Sequence, residues 1–341
     1  SHLDENGSPK HPNVLWEPTA ILPKYAGNYY LTQKIDLTST WTVPANIVLD
    51  LNGRNITQTS SVKDIAVIEV PANKSFTLTD CHTDDNNGGE TRTMGSVKHE
   101  YANSQSGRGV VVKGNFTLYN GGITTNNCST NYPPERLYSG AGVYVDGGGS
   151  FTMYGGKVAE NIAMNGAGVY VNKDGSAAMY GGKITGNKVG EGYGAGVYVG
   201  GGTFDMYGGS ISGNNQLGWN YNGDGGGVYI NSGSFNLHDG TITGNNGYWG
   251  GGVNLYNGAF NMEGGKISNN TAGRNGTGGG VYVYNGTFTM TGGEISGNRS
   301  KNDGSCASGL SGCKIWLQYF HTSLHGSGCS QHLWYKNNLF L

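Results

Sequence analysis

Apolar and polar residues alternate along most of this chain in runs of three to five, too short for helices. Val143-Tyr144-Val145 and Phe151-Thr152-Met153-Tyr154 are representative, each closed by glycines. Side chains of a strand point alternately to its two faces. These runs therefore predict short β-strands with Val143, Val145, Phe151 and Met153 inward and Tyr144, Thr152 and Tyr154 outward. Earlier runs share the pattern: Tyr29-Tyr30-Leu31, Ile47-Val48-Leu49-Asp50-Leu51, Ala66-Val67-Ile68-Glu69-Val70 and Phe76-Thr77-Leu78-Thr79. No segment holds a 3.6-residue period long enough for a crossover helix, which excludes a β-α-β organisation.

The runs belong to a repeat. The Gly-Val-Tyr-Val start at Gly142 returns at Gly168, Gly196, Gly227, Gly252 and Gly280, at steps of 26, 28, 31, 25 and 28 residues. Steps of this size mark stacked-repeat architectures. Each repeat reads as about three short strands. The third carries one aliphatic residue: Ile123, Val158, Ile184, Ile211, Ile242, Ile267 or Ile295. One repeat cannot bury its inward side chains alone, whereas stacking does, with main-chain hydrogen bonds between neighbours about 4.8 Å apart. The fold class predicted is all-β, a single-stranded parallel β-helix over 27–300. Residues 1–26 read as an N-terminal arm. Residues 301–341, including Lys314-Ile315-Trp316-Leu317, fit no repeat and read as an atypical C-terminal cap or tail.

Three residues beyond each aliphatic stands an asparagine: Asn126, Asn161, Asn187, Asn214, Asn245, Asn270 and Asn298. An amide donates and accepts, so a column of them at one corner can bond to itself and to turn backbone. Asparagine also tolerates the left-handed conformation that corners need. This column is expected to be structural.

Composition narrows the function classes. Glycine supplies 63 of 341 residues but without Gly-X-Y triplets, so the chain is turn-dense and not collagenous. A net charge of −2 with no basic run gives no footprint for nucleic acid. No apolar stretch reaches the ~20 residues that would span a bilayer, so membrane insertion is not expected. Five cysteines, Cys81, Cys128, Cys306, Cys313 and Cys329, make neither a disulfide framework nor a CxxC zinc site, with a Cys306–Cys313 bridge left open. No cofactor is expected. Two stretches offer metal ligands without matching motif spacing. One is Asp84-Asp85-Asn86-Asn87-Gly88-Gly89-Glu90, whose oxygens suit calcium; the other is His321, His325, Cys329 and His332. The opening Ser1-His2-Leu3-Asp4-Glu5 lacks the basic and apolar regions of a signal peptide and reads as a boundary from which a leader or anchor has been trimmed.

The phrase GVYV…FTMYGGKI…GN resembles the adhesin-like right-handed parallel β-helix repeats in large surface proteins of gut Firmicutes, within the pectin-lyase-like superfold. Gly27-Asn28-Tyr29-Tyr30-Leu31, Trp41-Thr42-Val43-Pro44 and Leu49-Asp50-Leu51-Asn52-Gly53 are similar to the usual first turn of that group. The resemblance covers roughly 27–300. It implies a secreted or wall-displayed protein whose partner is a glycan or a host surface protein. The superfold also hosts polysaccharide lyases and glycosidases, so fold alone does not separate binding from catalysis.

Outward positions are where chemistry would lie. One column reads Tyr144, Tyr170, Tyr198, Tyr229, Asn254, Tyr282, and another Tyr119, Tyr154, Tyr180, Tyr207, His238, Glu263, Thr291. Flat amphipathic rings at regular spacing suggest a platform for sugars or protein partners. Length variation falls between each asparagine and the next glycines, and two of these loops are aromatic, with Trp219, Tyr221, Tyr248 and Trp249 as candidate ligand contacts. Candidate catalytic residues are Asp205, His238, Asp239 and Glu263, which interrupt the neutral pattern on three consecutive repeats and could pair carboxylates. Three readings follow: a glycan-binding, adhesin-like module; a polysaccharide lyase or glycoside hydrolase; and a structural stalk.

Overall fold

A computed structural model describes residues 15–62, 64–81, 94–100, 107–128, 139–190, 192–216, 223–273 and 276–300, with the backbone of Lys314–Leu317. Among these residues there is no helix. The strands form three sheets of 19, 10 and 6 members, and their pairings are parallel. Val143–Val145 lies between Val110–Val112 and Val169–Val171. Ser150–Met153 lies between Asn115–Leu118 and Ser176–Met179. Lys157–Ala159 lies between Gly122–Thr124 and Lys183–Thr185. Each repeat thus bonds to the repeat before it and the one after it, an arrangement compatible with a parallel β-solenoid.

Three details depart from the sequence expectation. A fourth strand of two residues follows each regular corner, as in Ile162–Ala163, Lys188–Val189 and Thr271–Ala272, and these build the six-stranded sheet. In two middle repeats the first and second strands run together as Val197–Met206 and Val228–Leu237, with a register irregularity between Val199 and Thr203. Lys314–Leu317, expected to fit no repeat, pairs in register with Thr287–Met290 and extends the large sheet. In the N-terminal arm, Glu17–Thr19 pairs with the strand Gly27–Leu31.

The inward set is as alternation requires. Val143, Val145, Phe151, Met153 and Val158 are fully buried, as are their counterparts in neighbouring repeats. Phe76, Phe116 and Phe151 stack at 5.7 and 5.4 Å, and Phe204 stacks on Phe235 at 5.3 Å. Each such ring removes some 150–250 Å² from water, the main favourable term for the fold.

The asparagine column is a continuous buried hydrogen-bond ladder. Asn214 donates from its backbone N and its Nδ2 to Asn245 Oδ1, both at 3.0 Å, and from Nδ2 to the Ile184 carbonyl at 2.9 Å. Its own Oδ1 accepts from the backbone N and Nδ2 of Asn187. The pattern runs from Asn126 to Asn298. The left-handed residue, however, precedes the asparagine: Thr125, Glu160 and Asn269 have φ of 55–57°, and Gly186, Gly213, Gly244 and Gly297 have φ of 63–65°. The amides are therefore required for bonding and not for their backbone conformation. His99 begins the ladder, with Nδ1 2.9 Å from Asn126 Oδ1 and Nε2 2.9 Å from the Ile65 carbonyl. Burial, opposed by these two contacts, holds its pKa below the usual histidine value.

The glycine that opens the Gly-Val-Tyr-Val phrase packs against this ladder. A Cβ on Gly196 would lie 2.5 Å from the Gly227 carbonyl oxygen and 2.9 Å from both Asn214 Nδ2 and Ile211 Cγ2. Backbone and a fixed ladder amide cannot step aside, so Gly196→Ala is expected to cost about 2–3 kcal/mol. The check is a lowered thermal midpoint; an unchanged one would show that the repeats can separate locally.

Candidate functional site

Two outward regions carry the candidate residues, and the sheet register determines both. The strand ends after Asn115–Leu118, Ser150–Met153 and Ser176–Met179 place Tyr119, Tyr154 and Tyr180 one above another, and Tyr207 follows. Their rings stack at 4.8, 5.0 and 4.8 Å with interplanar angles of 9–14°, and each is 42–52% exposed. Because each inner ring covers its neighbour's face, the column offers solvent its edges and hydroxyls. The expected platform of free faces is not what the inner rings present.

His238 continues this column, parallel to Tyr207 at 4.4 Å. Its Nδ1 lies 2.8 Å from Glu263 Oε2 on the following repeat, and its Nε2 lies 3.8 Å from Asp205 Oδ1 on the preceding one. Asp205 Oδ1 also accepts from Asn236 Nδ2 at 2.6 Å, and Asn236 Oδ1 accepts from Asn261 Nδ2. The two carboxylates are therefore bridged by an imidazole and do not form the carboxylate pair expected from lateral spacing. A histidine fixed at Nδ1 by a carboxylate can act as an oriented base at Nε2, or simply complete an ion pair on a partly exposed surface. Asp239 stands apart, its Oδ1 accepting from the next backbone N–H at Gly240. The Asp205 charge, first, and burial push the Tyr207 hydroxyl upward.

The second region lies over the first strands. Tyr144, Tyr170, Tyr198 and Tyr229 stack at 5.2, 4.7 and 5.4 Å. This column is largely covered: Tyr198 is 8% and Tyr229 3% exposed. Arg108 sits 4.6 Å from the Tyr144 ring centre, a cation–π contact at the first ring. Tyr193, from a loop, packs on Tyr229 at 4.7 Å. At the next step the register replaces tyrosine by Asn254. Trp249 folds in beside that smaller residue and stacks on Tyr282 at 5.8 Å, 17° from parallel. Tyr248 lies against Trp249 at 5.0 Å.

Of the four predicted ligand contacts, Tyr248 and Trp249 are thus brought together, while Trp219 and Tyr221 lie outside the described residues. Tyr256 and Tyr284 were missed. They stack at 5.0 Å and 3° and are 44% and 56% exposed. Both lie two residues beyond the outward position of their strand, so the period-2 rule would have found them. Asp224 was missed as well. It is 8% exposed, accepts a long hydrogen bond from the Trp249 backbone N at 3.4 Å, and burial pushes its carboxyl up to about 6.

Metal chemistry has one geometric candidate among the described residues, Asp50, Asp80 and Cys81, with one ligand atom from each within 4.8 Å of the others. Backbone donors already fill it: Asp50 accepts from Asn52 and Cys81, and Asp80 from Gly53 and Gly95. Burial, then the Asp50 charge, pushes the Cys81 thiol up to about 11, away from the thiolate a metal needs. Cys128 is buried and free. Asp84–Glu90, His321, His325, Cys329, His332 and the Cys306–Cys313 pairing lie outside the described residues. Compared with known protein families, characterised proteins and solved structures, the chain shows no match.

Proposed function

We propose that this chain is a right-handed parallel β-helix of the adhesin-like kind that works as a secreted or cell-surface binding module for glycan. The observation that carries the reading is the uncovered aromatic edge of the repeats opening at Gly252 and Gly280, where Trp249, Tyr256 and Tyr284 are 38–56% exposed. Aromatic side chains with a polar tip, held on a rigid sheet, suit ligands that present both C–H surface and hydroxyls. The stacked phenols add hydrogen-bonding groups at the spacing of the sheet.

The test is a glycan array read with wild type and with Trp249→Ala, Tyr256→Ala and Tyr284→Ala. Binding to at least one glycan class is expected, weakened roughly tenfold by loss of a central ring. No bound glycan, or variants indistinguishable from wild type, would sink the reading and leave the structural stalk.

The hydrogen bond between His238 and Glu263 favours a second reading, a polysaccharide lyase or hydrolase with His238 as base, Glu263 as its positioning partner and Asp205 opposite. It requires unsaturated products or new reducing ends from a polysaccharide, lost in Glu263→Gln.

A further inference from the structure

Four phenols stand in a row away from the aromatic edge just described. Tyr119, Tyr154, Tyr180 and Tyr207 lie 26 to 35 residues apart in sequence, and the parallel register sets each at the end of the strand beside the last. Their rings follow one another at 4.8, 5.0 and 4.8 Å. Each is 42–52% exposed, so its outer edge, which bears the hydroxyl and the two carbons flanking it, meets solvent. Tyr256 and Tyr284, stacked at 5.0 Å and comparably exposed, supply one further pair of this kind.

We propose that the exposed column is a site of oxidative cross-linking, where a one-electron oxidant of the haem-peroxidase class, fed by hydrogen peroxide, joins neighbouring phenols into dityrosine. Each phenol gives up one electron and one proton, and the unpaired electron left behind spreads onto the carbons beside the oxygen. Two such radicals on neighbouring rings form a carbon–carbon bond. The hydrogen on each bonded carbon then moves to the oxygen of its own ring, which restores both phenols. The two electrons and two protons released convert one hydrogen peroxide into two waters.

Coupling between separate molecules waits for two radicals to meet, whereas here the sheet already holds the partners side by side. Stacked faces must still slide until two ring edges touch. Exposed side chains make such rotamer changes within picoseconds to nanoseconds. The covered column lacks that freedom. Tyr198 and Tyr229 stack at 5.4 Å, much as the exposed rings do, but they are 8% and 3% exposed and Tyr193 packs over Tyr229. Spacing is shared by the two columns and mobility is not, so cross-links are expected in the exposed one alone. Each link fastens one repeat to the next and closes a loop of 26 to 35 residues, which restricts the unfolded chain as a disulfide does.

The test treats dilute protein with a haem peroxidase and hydrogen peroxide, then maps linked peptides by mass spectrometry. Wild type is expected to stay a single chain on a reducing, denaturing gel, to link only neighbours within the column, and to unfold at higher urea than before treatment. Two double variants carry equal numbers of phenols and keep every ring, so the stack and fold are retained. Tyr119→Phe with Tyr154→Phe leaves Tyr180 and Tyr207 adjacent and is expected to keep its column link. Tyr154→Phe with Tyr207→Phe leaves Tyr119 and Tyr180 two strands, about 10 Å, apart and is expected to lose roughly tenfold in column linkage. Equal linkage in the two variants overturns the proposal, as do links formed only between chains, a Tyr198–Tyr229 link as abundant as those of the exposed column, or no dityrosine at all. The glycan reading stands or falls separately, on its own array.

Discussion

Asn214→Ala is expected to destabilise the protein by about 4 kcal/mol, and Asn214→Asp by more. The alanine variant keeps the backbone N–H bond to Asn245 but removes every side-chain bond of the residue. Ile184 loses its donor, and the backbone N and Nδ2 of Asn187 lose their acceptor, all in a fully buried place. A buried polar group left unpaired costs about 1–3 kcal/mol and an ordinary lost hydrogen bond about 1; the Asn187 backbone N is left bare, whereas its Nδ2 keeps the Val158 carbonyl at 2.9 Å. The cost exceeds that of a typical surface asparagine, where substitutions stay within about 0.5 kcal/mol. Aspartate is worse because an oxygen replaces Nδ2. It would face the Ile184 carbonyl and Asn245 Oδ1 at contacts now 2.9 and 3.0 Å long, and would bury a charge among acceptors. Thermal or urea melts rank the variants. A rank of aspartate below alanine below wild type is expected, and a melt for Asn214→Ala equal to wild type would mean that the ladder contributes no net stability.

The ladder also shows where the sequence was legible. Seven asparagines at one offset from seven aliphatics announced a bonded column, because a periodic amide has few other uses. Alternation in Val143–Val145 and Ser150–Met153 announced which side chains are buried. The corner conformation was misassigned by one residue, since asparagine's tolerance of left-handed backbone does not say that it adopts it; Thr125 and Glu160 do instead. The fusion of two strands into Val197–Met206 was hidden by Gly200-Gly201-Gly202, which reads as a turn and runs as a register irregularity. The site was less legible. Spacing could bring Asp205, His238 and Glu263 onto neighbouring strands but could not say that the imidazole would stand between the carboxylates. Exposure was the harder problem, because the two tyrosine columns read alike. One is 42–52% exposed, while Tyr198 and Tyr229 in the other are covered, partly by the loop residue Tyr193. That difference is tertiary, and Asn254 reads as a neutral replacement until its neighbours are seen.

Asp224→Asn is expected to stabilise the protein at pH 7.5 by up to about 3 kcal/mol and to do almost nothing at pH 4. Burial raises the folded-state pKa of Asp224 from 3.8 to about 6. Below 3.8 the carboxyl holds its proton in both folded and unfolded chains, and the two states do not differ. Between 3.8 and about 6 the folded chain keeps a proton that the unfolded chain has released, so stability falls as pH rises through this window. Above about 6 the penalty is complete and constant, and a rise of about two units corresponds to about 3 kcal/mol. His99 titrates with the opposite sign, since its folded-state pKa lies below 6.5 and acidification below that value weakens the fold. It is common to both proteins, however, and cancels in their difference. Melting curves of wild type and Asp224→Asn at half-unit steps from pH 4 to 7.5 should therefore diverge above pH 4 and run parallel near neutrality. A variant that melts below wild type at pH 7.5 would show that the Asp224 carboxylate already has a cationic partner.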